Sequence, residues 1–98
     1  MKKTYWLHII PIFRYAAPEP TAKFLLVGNE YPHPGGAAPS RGYLSWEQLQ
    51  KALRDTAKVH DDVLQEAAKE VQNGVAFTIP DVALEEQEIR VLGLDVQK

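Results

Sequence analysis

The first third of the chain contains two stretches in which aromatic and β-branched residues are concentrated, a pattern typical of β-strands. We predict a first strand over residues 4–13 and a second over residues 22–31, with the apolar run 24–27 as its buried centre. A polar, proline-containing connection would join them as an antiparallel pair. Because Pro11 has no backbone donor, it either places the first strand at an edge of the sheet or ends its pairing there.

Helical periodicity follows these strands. Apolar side chains at Trp46, Leu49 and Leu53 recur at the spacing of one helix face. Ser45 stands directly before them, and its hydroxyl can accept a hydrogen bond from a free amide of the first turn. Gln48 lies three residues further on and completes the S-x-x-Q pattern of a capping box. A helix beginning at residue 46 is therefore the most strongly supported of the predicted elements.

A second helix is predicted over residues 60–73, because its apolar residues again recur at helical spacing. The pair Asn73-Gly74 would close it, since helices commonly end with a glycine in the left-handed conformation. Residues 75–79 then alternate between apolar and small or polar side chains, which indicates a short strand. We expect Pro80 to stop that strand.

The segment 84–94 is compatible with either a helix or a strand. A helix is favoured by glutamates near its start and by Gly93 at the position that ends a helix, with Leu94 in contact with Ile89. A strand is favoured by the alternation of Ile89 and Val91 with charged neighbours. We predict a helix.

Together these elements predict one α+β domain over residues 1–98. A sheet of about three strands, antiparallel or mixed, would pack against two or three helices, and an irregular proline- and glycine-rich loop would occupy residues 32–42. The predicted core consists of Leu7, Ile9, Leu25, Val27, Trp46, Leu49, Leu53, Leu64, Val71, Phe77 and Ile79.

Composition and charge narrow the classes of function. The 98 residues include no cysteine, which excludes disulfides and thiolate metal sites and suits a reducing cytoplasm, where we place the protein. Residues 1–43 carry five basic and two acidic side chains, a net charge of +3, whereas residues 44–98 carry six basic and eleven acidic ones, a net charge of −5. A total of −2 gives no general attraction to nucleic acid or to an anionic membrane.

The N-terminus has a superficial likeness to a secretory signal, with two lysines followed by apolar residues. His8 and Pro11 interrupt the apolar run, and Arg14 follows it. The run is also far shorter than the roughly 20 residues that a membrane-spanning helix needs. We therefore expect a first strand here and no contact with a membrane.

Residue types that carry catalysis or bind metals are few. His8, His33 and His60 have no spacing that would place two of them on one helix face as metal ligands. Neither of the two serines, Ser40 and Ser45, lies in a nucleophile elbow. The glycine-rich loop lacks the P-loop and dinucleotide-binding patterns. We predict no catalytic residues, no metal and no cofactor, and we favour a protein without enzymatic activity.

Two groups of residues are candidates for binding. Tyrosine, tryptophan and arginine carry much of the energy at protein interfaces, and several such residues, with a histidine, surround the long loop: Arg14, Tyr31, His33, Arg41 and Tyr43. The second group lies on the first strand, where one face would not be covered by helices and where the strand, as an edge, could pair with another chain. It consists of Tyr5, Trp6, Ile10 and Ile12.

These residues predict a small protein-binding or accessory module that interacts through its aromatic, basic N-terminal half. The partner would be a different protein or a second copy of this chain, forming a homodimer. The main alternative is a small enzyme or ligand-binding protein that uses the loop from His33 to Arg41. A nucleic-acid-binding protein ranks third, because the second predicted helix is acidic and would repel phosphates.

Overall fold

Residues 2–12, 23–31 and 38–95 are described by a computed structural model. They contain, in chain order, β1 (Lys3–Pro11), β2 (Phe24–Tyr31), β3 (Ser40–Tyr43), α1 (Trp46–Asp55), α2 (Asp61–Gln72), β4 (Phe77–Leu84) and α3 (Glu86–Val91). The strands form one antiparallel sheet in the order β3-β2-β1-β4. The predicted α+β class is confirmed, with one strand more than expected.

The first strand lies in the interior of the sheet, between β2 and β4, so its expected place at an edge is wrong. The N–H of Ile12 donates to the carbonyl of Lys23 (2.8 Å) on the β2 side, so the nitrogen of the preceding residue, Pro11, faces the β4 side. The pairing of β1 with β4 has already ended before Pro11, at the pair of Ile9 and Phe77. The proline therefore removes no hydrogen bond from the sheet. It marks the end of pairing, which was the alternative prediction for this residue.

The second strand buries only alternate residues of its apolar run, and these are the two that the list of core residues did not include. Leu25 and Val27 were expected to be buried, but the structure buries Phe24 and Leu26 instead. Strand pairing explains the difference, because Leu26 lies opposite the buried Ile9, and directly paired residues of antiparallel strands point to the same face.

The rest of the predicted core is largely confirmed. Trp46 and Phe77 pack against the core but are only partly buried. The predicted residues that are buried are Leu7, Ile9, Leu49, Leu53, Leu64, Val71 and Ile79.

The ends of the helices follow the local sequence rules. The N–H of Gln48 donates to the hydroxyl of Ser45 (3.2 Å), which caps α1 as predicted. Both α2 and α3 end in a Schellman motif, with Gly74 (φ 79°) and Gly93 (φ 78°) in the left-handed conformation. In α3 the N–H of Leu94 donates to the carbonyl of Ile89 (2.9 Å), so the ambiguous segment is a helix with the predicted ending.

Two strands differ from their predicted bounds. The expected loop over residues 32–42 contains the start of β3, whose pairing with β2 begins where Ser40 lies opposite Val27. β4 continues through Pro80 to Leu84 instead of ending before the proline. Because β4 is an edge strand, a proline within it is tolerated, and Asp81 (φ 58°) accompanies an irregularity in the pairing with β1.

The sheet and the helices form two layers. Side chains from β1, β2 and β4 that point to one side share a single hydrophobic core with all three helices. The alternate side chains of the same strands point away from the helices. This second side of the sheet has no helix of the described ranges against it, and it is where the unusual surface chemistry lies.

Candidate functional site

One face of the sheet is turned away from the helices, and it is not a polar surface. Its most exposed large side chains are Trp6 and Ile10, each 38% exposed, and Tyr31, which is 62% exposed. Together with their neighbours on the same side of the sheet, which are half-buried except for the exposed Thr78, these residues form what we call the open face: Thr4, Trp6, His8, Ile10, Leu25, Val27, Asn29, Tyr31 and Thr78.

A hydrogen-bonded histidine lies at the centre of the open face. His8 is on β1, and each of its ring nitrogens reaches a neighbouring strand. Nδ1 lies 2.9 Å from the hydroxyl of Thr78 on β4, and Nε2 lies 2.8 Å from the amide nitrogen of Asn29 on β2. A neutral imidazole with its proton on Nδ1 satisfies both contacts, because it donates to Thr78 and accepts from Asn29.

The two ends of the open face differ in shape. At one end, Trp6 and Tyr31 stack with their ring centres 6.1 Å apart and their planes 23° from parallel. At the other end, Ile10 lies opposite Leu25 across β1 and β2. The histidine separates an aromatic end from an aliphatic end.

Charge is confined to the margins of this surface. None of the nine residues of the open face carries an acidic or permanently basic side chain. Lys2 precedes β1 at the aromatic end, and Lys23 precedes β2 at the aliphatic end. The face is therefore apolar at its two ends and has an uncharged polar centre, in which His8 is hydrogen-bonded to Asn29 and Thr78.

The predicted interface residues divide between the two sides of the sheet. Trp6 and Ile10 lie on the open face. Tyr5 lies on the helix side, in the core, because side chains alternate along a strand. Ile12 follows the end of β1 and is half-buried. The structure thus brings together two of these four residues on one surface.

The residues predicted around the long loop also separate. Tyr31 belongs to the open face, whereas Arg41 and Tyr43 lie on β3 against the end of α3. Arg14 and His33 lie outside the described residues.

Arg41 and Tyr43 have a structural role in holding α3 to the sheet. The guanidinium of Arg41 lies 5.2 Å from the centre of the Tyr43 ring and donates to the carbonyl of Val91 (3.2 Å). The buried hydroxyl of Tyr43 donates to the carbonyl of Leu92 (3.1 Å). Carbonyls at a helix C-terminus lack partners within the helix, and these two side chains supply them.

Sequence reasoning missed the histidine network. His8 could have been found from its position between Trp6 and Ile10, because alternation along β1 places all three on one face. Asn29 and Thr78 gave no such signal. Their place beside His8 depends on the pairing of three strands that are distant in sequence.

A cleft of about 400 Å³ lies elsewhere, between β1 and α3. Four of its charged side chains pair with one another: Lys3 lies 3.8 Å from Glu30, and Arg90 lies 2.9 Å from Glu86; Asp95 also lines the cleft. Because these four side chains are already paired within the chain, the cleft gives less support for a binding site than the open face does.

Two buried tyrosines predict how stability depends on alkaline pH. Burial, and after it the carboxylate of Glu30, raise the pKa of Tyr5; burial also raises the pKa of Tyr43, although Arg41 acts in the opposite direction. An unfolded tyrosine has a pKa near 10. Because the pKa of each tyrosine is higher in the folded state, its neutral form contributes to the free energy of unfolding. This contribution is complete below about pH 10 and is lost as the pH rises through the folded-state pKa.

We therefore expect the free energy of unfolding to fall above about pH 10, and to fall less steeply in Tyr5→Phe and Tyr43→Phe. Urea unfolding at a series of pH values measures this slope. Tyr31→Phe, which removes an exposed tyrosine, is the control. Slopes in the two buried-site variants equal to that of the unmodified protein would contradict the prediction.

Other kinds of site find no support in the described ranges. Residues 2–12, 23–31 and 38–95 contain no group of three or more histidine, aspartate or glutamate side chains arranged to hold a metal ion. No helix within these ranges is both long and apolar enough to cross a membrane. Comparison of the chain with protein-family models, with curated proteins and with solved structures found no match.

Proposed function

We propose that the protein is a binding module that engages another protein chain through the open face. The observation that carries this proposal is the exposure of Trp6, Ile10 and Tyr31 on one uncharged surface. Aromatic residues are enriched at protein interfaces and charged residues are depleted at their centres. Exposed apolar surface of this kind is typical of an interaction site.

The charge distribution favours a protein partner over a nucleic acid. Binding to nucleic acid depends on lysine and arginine side chains that neutralise phosphates. On the open face the only adjacent lysines in the described ranges are Lys2 and Lys23, at opposite ends. The surface between them offers apolar contacts instead of a track of positive charge.

The hydrogen bonds of His8 favour binding over catalysis at this surface. A general acid or base must reach the proton of a substrate directly or through one water. Both ring nitrogens of His8 are already within hydrogen-bond distance of Thr78 and Asn29. The imidazole is thus held as a fixed part of the surface.

Site-specific photocrosslinking tests the proposal. Benzoylphenylalanine would replace Trp6 in one variant and, as the control, Val91 in another. Val91 is apolar and 54% exposed on α3, in the helix layer. After irradiation in the native host, we expect position 6 to give defined protein adducts, mapped to single peptides by mass spectrometry, and position 91 to give none. An absence of protein adducts at position 6, or equal adducts at both positions, would overturn the proposal.

A further inference from the structure

Resting on this proposed function, we propose that the protein bound by the open face is a second copy of this chain. The two sheets would pack face to face about a two-fold axis that lies in the plane of contact, perpendicular to the strands and near His8. β1 of one copy would then lie over β1 of the other and run antiparallel to it. Four properties of the open face carry this inference.

The first property is area. The molecule measures 20 Å along its shortest axis, which is the thickness of the sheet and one layer of helices. The side of the sheet away from the helices can therefore receive a third layer. The four strands have nine, eight, four and eight residues. At about 3.3 Å per residue and about 4.8 Å between strands, they give a face of roughly 460 Å². Two such faces would bury roughly 900 Å² in total, which is the size of a small, weak interface.

The second property is a low cost of burial. Removing an unpaired charge from water is expensive, and a polar group is buried cheaply only when its hydrogen bonds are satisfied. The open face contains no acidic or permanently basic side chain. Its central polar group, His8, is already bonded to Thr78 and Asn29 within one copy, so the partner need supply only apolar contacts.

The third property is shape, and it selects the direction of packing. Interfaces, like protein interiors, require close packing without voids. With the strands antiparallel, the protruding Trp6 of each copy lies over the smaller Ile10 of the other. A parallel arrangement would place Trp6 against Trp6 and leave the aliphatic ends apart.

The fourth property is charge at the margins. If the β1 strands of the two copies ran parallel, Lys2 of one copy would approach Lys2 of the other, and Lys23 of one copy would approach Lys23 of the other. The antiparallel arrangement separates each of these lysines from its own counterpart and carries Lys23 of one copy towards the aromatic ring of Tyr31 in the other, which is an attractive contact. Lys23 also reaches the end that holds Lys2 of the other copy, where solvent screens the two charges.

Sedimentation equilibrium of the purified chain tests the dimer. We expect a dimer at micromolar concentration, and a dissociation constant at least 30-fold higher in Ile10→Glu, because a buried carboxylate would face an apolar surface. Tyr31→Lys, at the most exposed position of the face, is a second variant in case the first disturbs folding, because its ammonium would face Lys23 of the other copy. Val91→Glu on α3 is the control and should remain dimeric.

A monomer at several hundred micromolar, or a dimer unaffected by both Ile10→Glu and Tyr31→Lys, would overturn the inference. The two proposals fail separately. A monomeric chain whose position 6 crosslinks to a different protein contradicts the second copy and leaves the binding module intact, whereas the absence of any adduct at position 6 contradicts both.

Crosslinking tests the direction of packing, and the absence of native cysteines makes it specific. Lys23→Cys and Tyr31→Cys are prepared separately, mixed and treated with a short bismaleimide. We expect crosslinked dimers from the mixture, because the antiparallel arrangement places these positions together, and none from either variant alone. Efficient crosslinking of Tyr31→Cys with itself would show the parallel arrangement and overturn this part of the inference.

Discussion

Truncation of Leu26 to alanine is expected to destabilise the fold by about 3 kcal/mol, several times more than the same truncation at the adjacent Leu25. Leu26 is fully buried and lies opposite Ile9, in the core beneath the helices. Leu25 lies opposite Ile10 on the open face. Removing a core leucine loses its transfer free energy and leaves a cavity, whereas the surface around Leu25 remains accessible to water.

Such a loss is large for this chain, because domains of this size are stable by only about 5–15 kcal/mol. Urea unfolding of both variants measures the difference, and we expect Leu25→Ala to lose less than about 1 kcal/mol. Performing the comparison in a Tyr31→Lys background removes any contribution from self-association, because this lysine would face Lys23 of the other copy. Equal losses, or a larger loss for Leu25→Ala, would mean that β2 presents the other set of residues to the helices.

This pair of leucines also shows where sequence reasoning reaches its limit. The run Phe24-Leu25-Leu26-Val27 has no alternation between apolar and polar residues, so nothing in it shows which side is buried. A shift of one residue in pairing exchanges the two sides of a strand. Only the pairing of β2 with β1, which joins residues distant in sequence, determines the side that packs against the helices.

Features governed by local rules were predicted correctly. The cap at Ser45 and the glycine endings of α2 and α3 each depend on residues within one or two turns of the chain. The proline rules were less decisive, because their outcome depends on neighbouring strands. Pro11 lies in a central strand beyond the end of its pairing with β4, and Pro80 lies within an edge strand that continues past it.

The candidate site divides in the same way. Alternation along a single strand was enough to select Trp6 and Ile10 as exposed partners. It should also have separated Tyr5 from Trp6, since adjacent residues of a strand point to opposite sides. The polar centre of the site could not be predicted, because Asn29 and Thr78 approach His8 only through the folded sheet.

The close approach of the C-terminal segment to β2 leads to the second large effect. Gly28 lies opposite Leu7 in the middle of the sheet, on the helix side. A Cβ atom built at this position would lie 2.8 Å from a methyl carbon of Leu94 and 3.3 Å from the ring of Tyr5. Leu94 is buried, and its N–H is bonded to Ile89 at the end of α3, so this side chain has little room to move.

Gly28→Val is therefore expected to destabilise the protein by about 2–3 kcal/mol through overpacking. Leu94→Ala alone should cost about 2–4 kcal/mol, because it leaves a cavity. In the double variant the new valine occupies part of that cavity, so the combined loss should fall short of the sum of the single losses by about 1–2 kcal/mol. Urea unfolding of the four proteins measures this coupling, and the same cycle with Leu53→Ala in α1 is the control, for which we expect the losses to add. Additive losses for Gly28→Val and Leu94→Ala would show that the leucine does not restrict position 28 and that the C-terminal segment does not pack against the centre of β2.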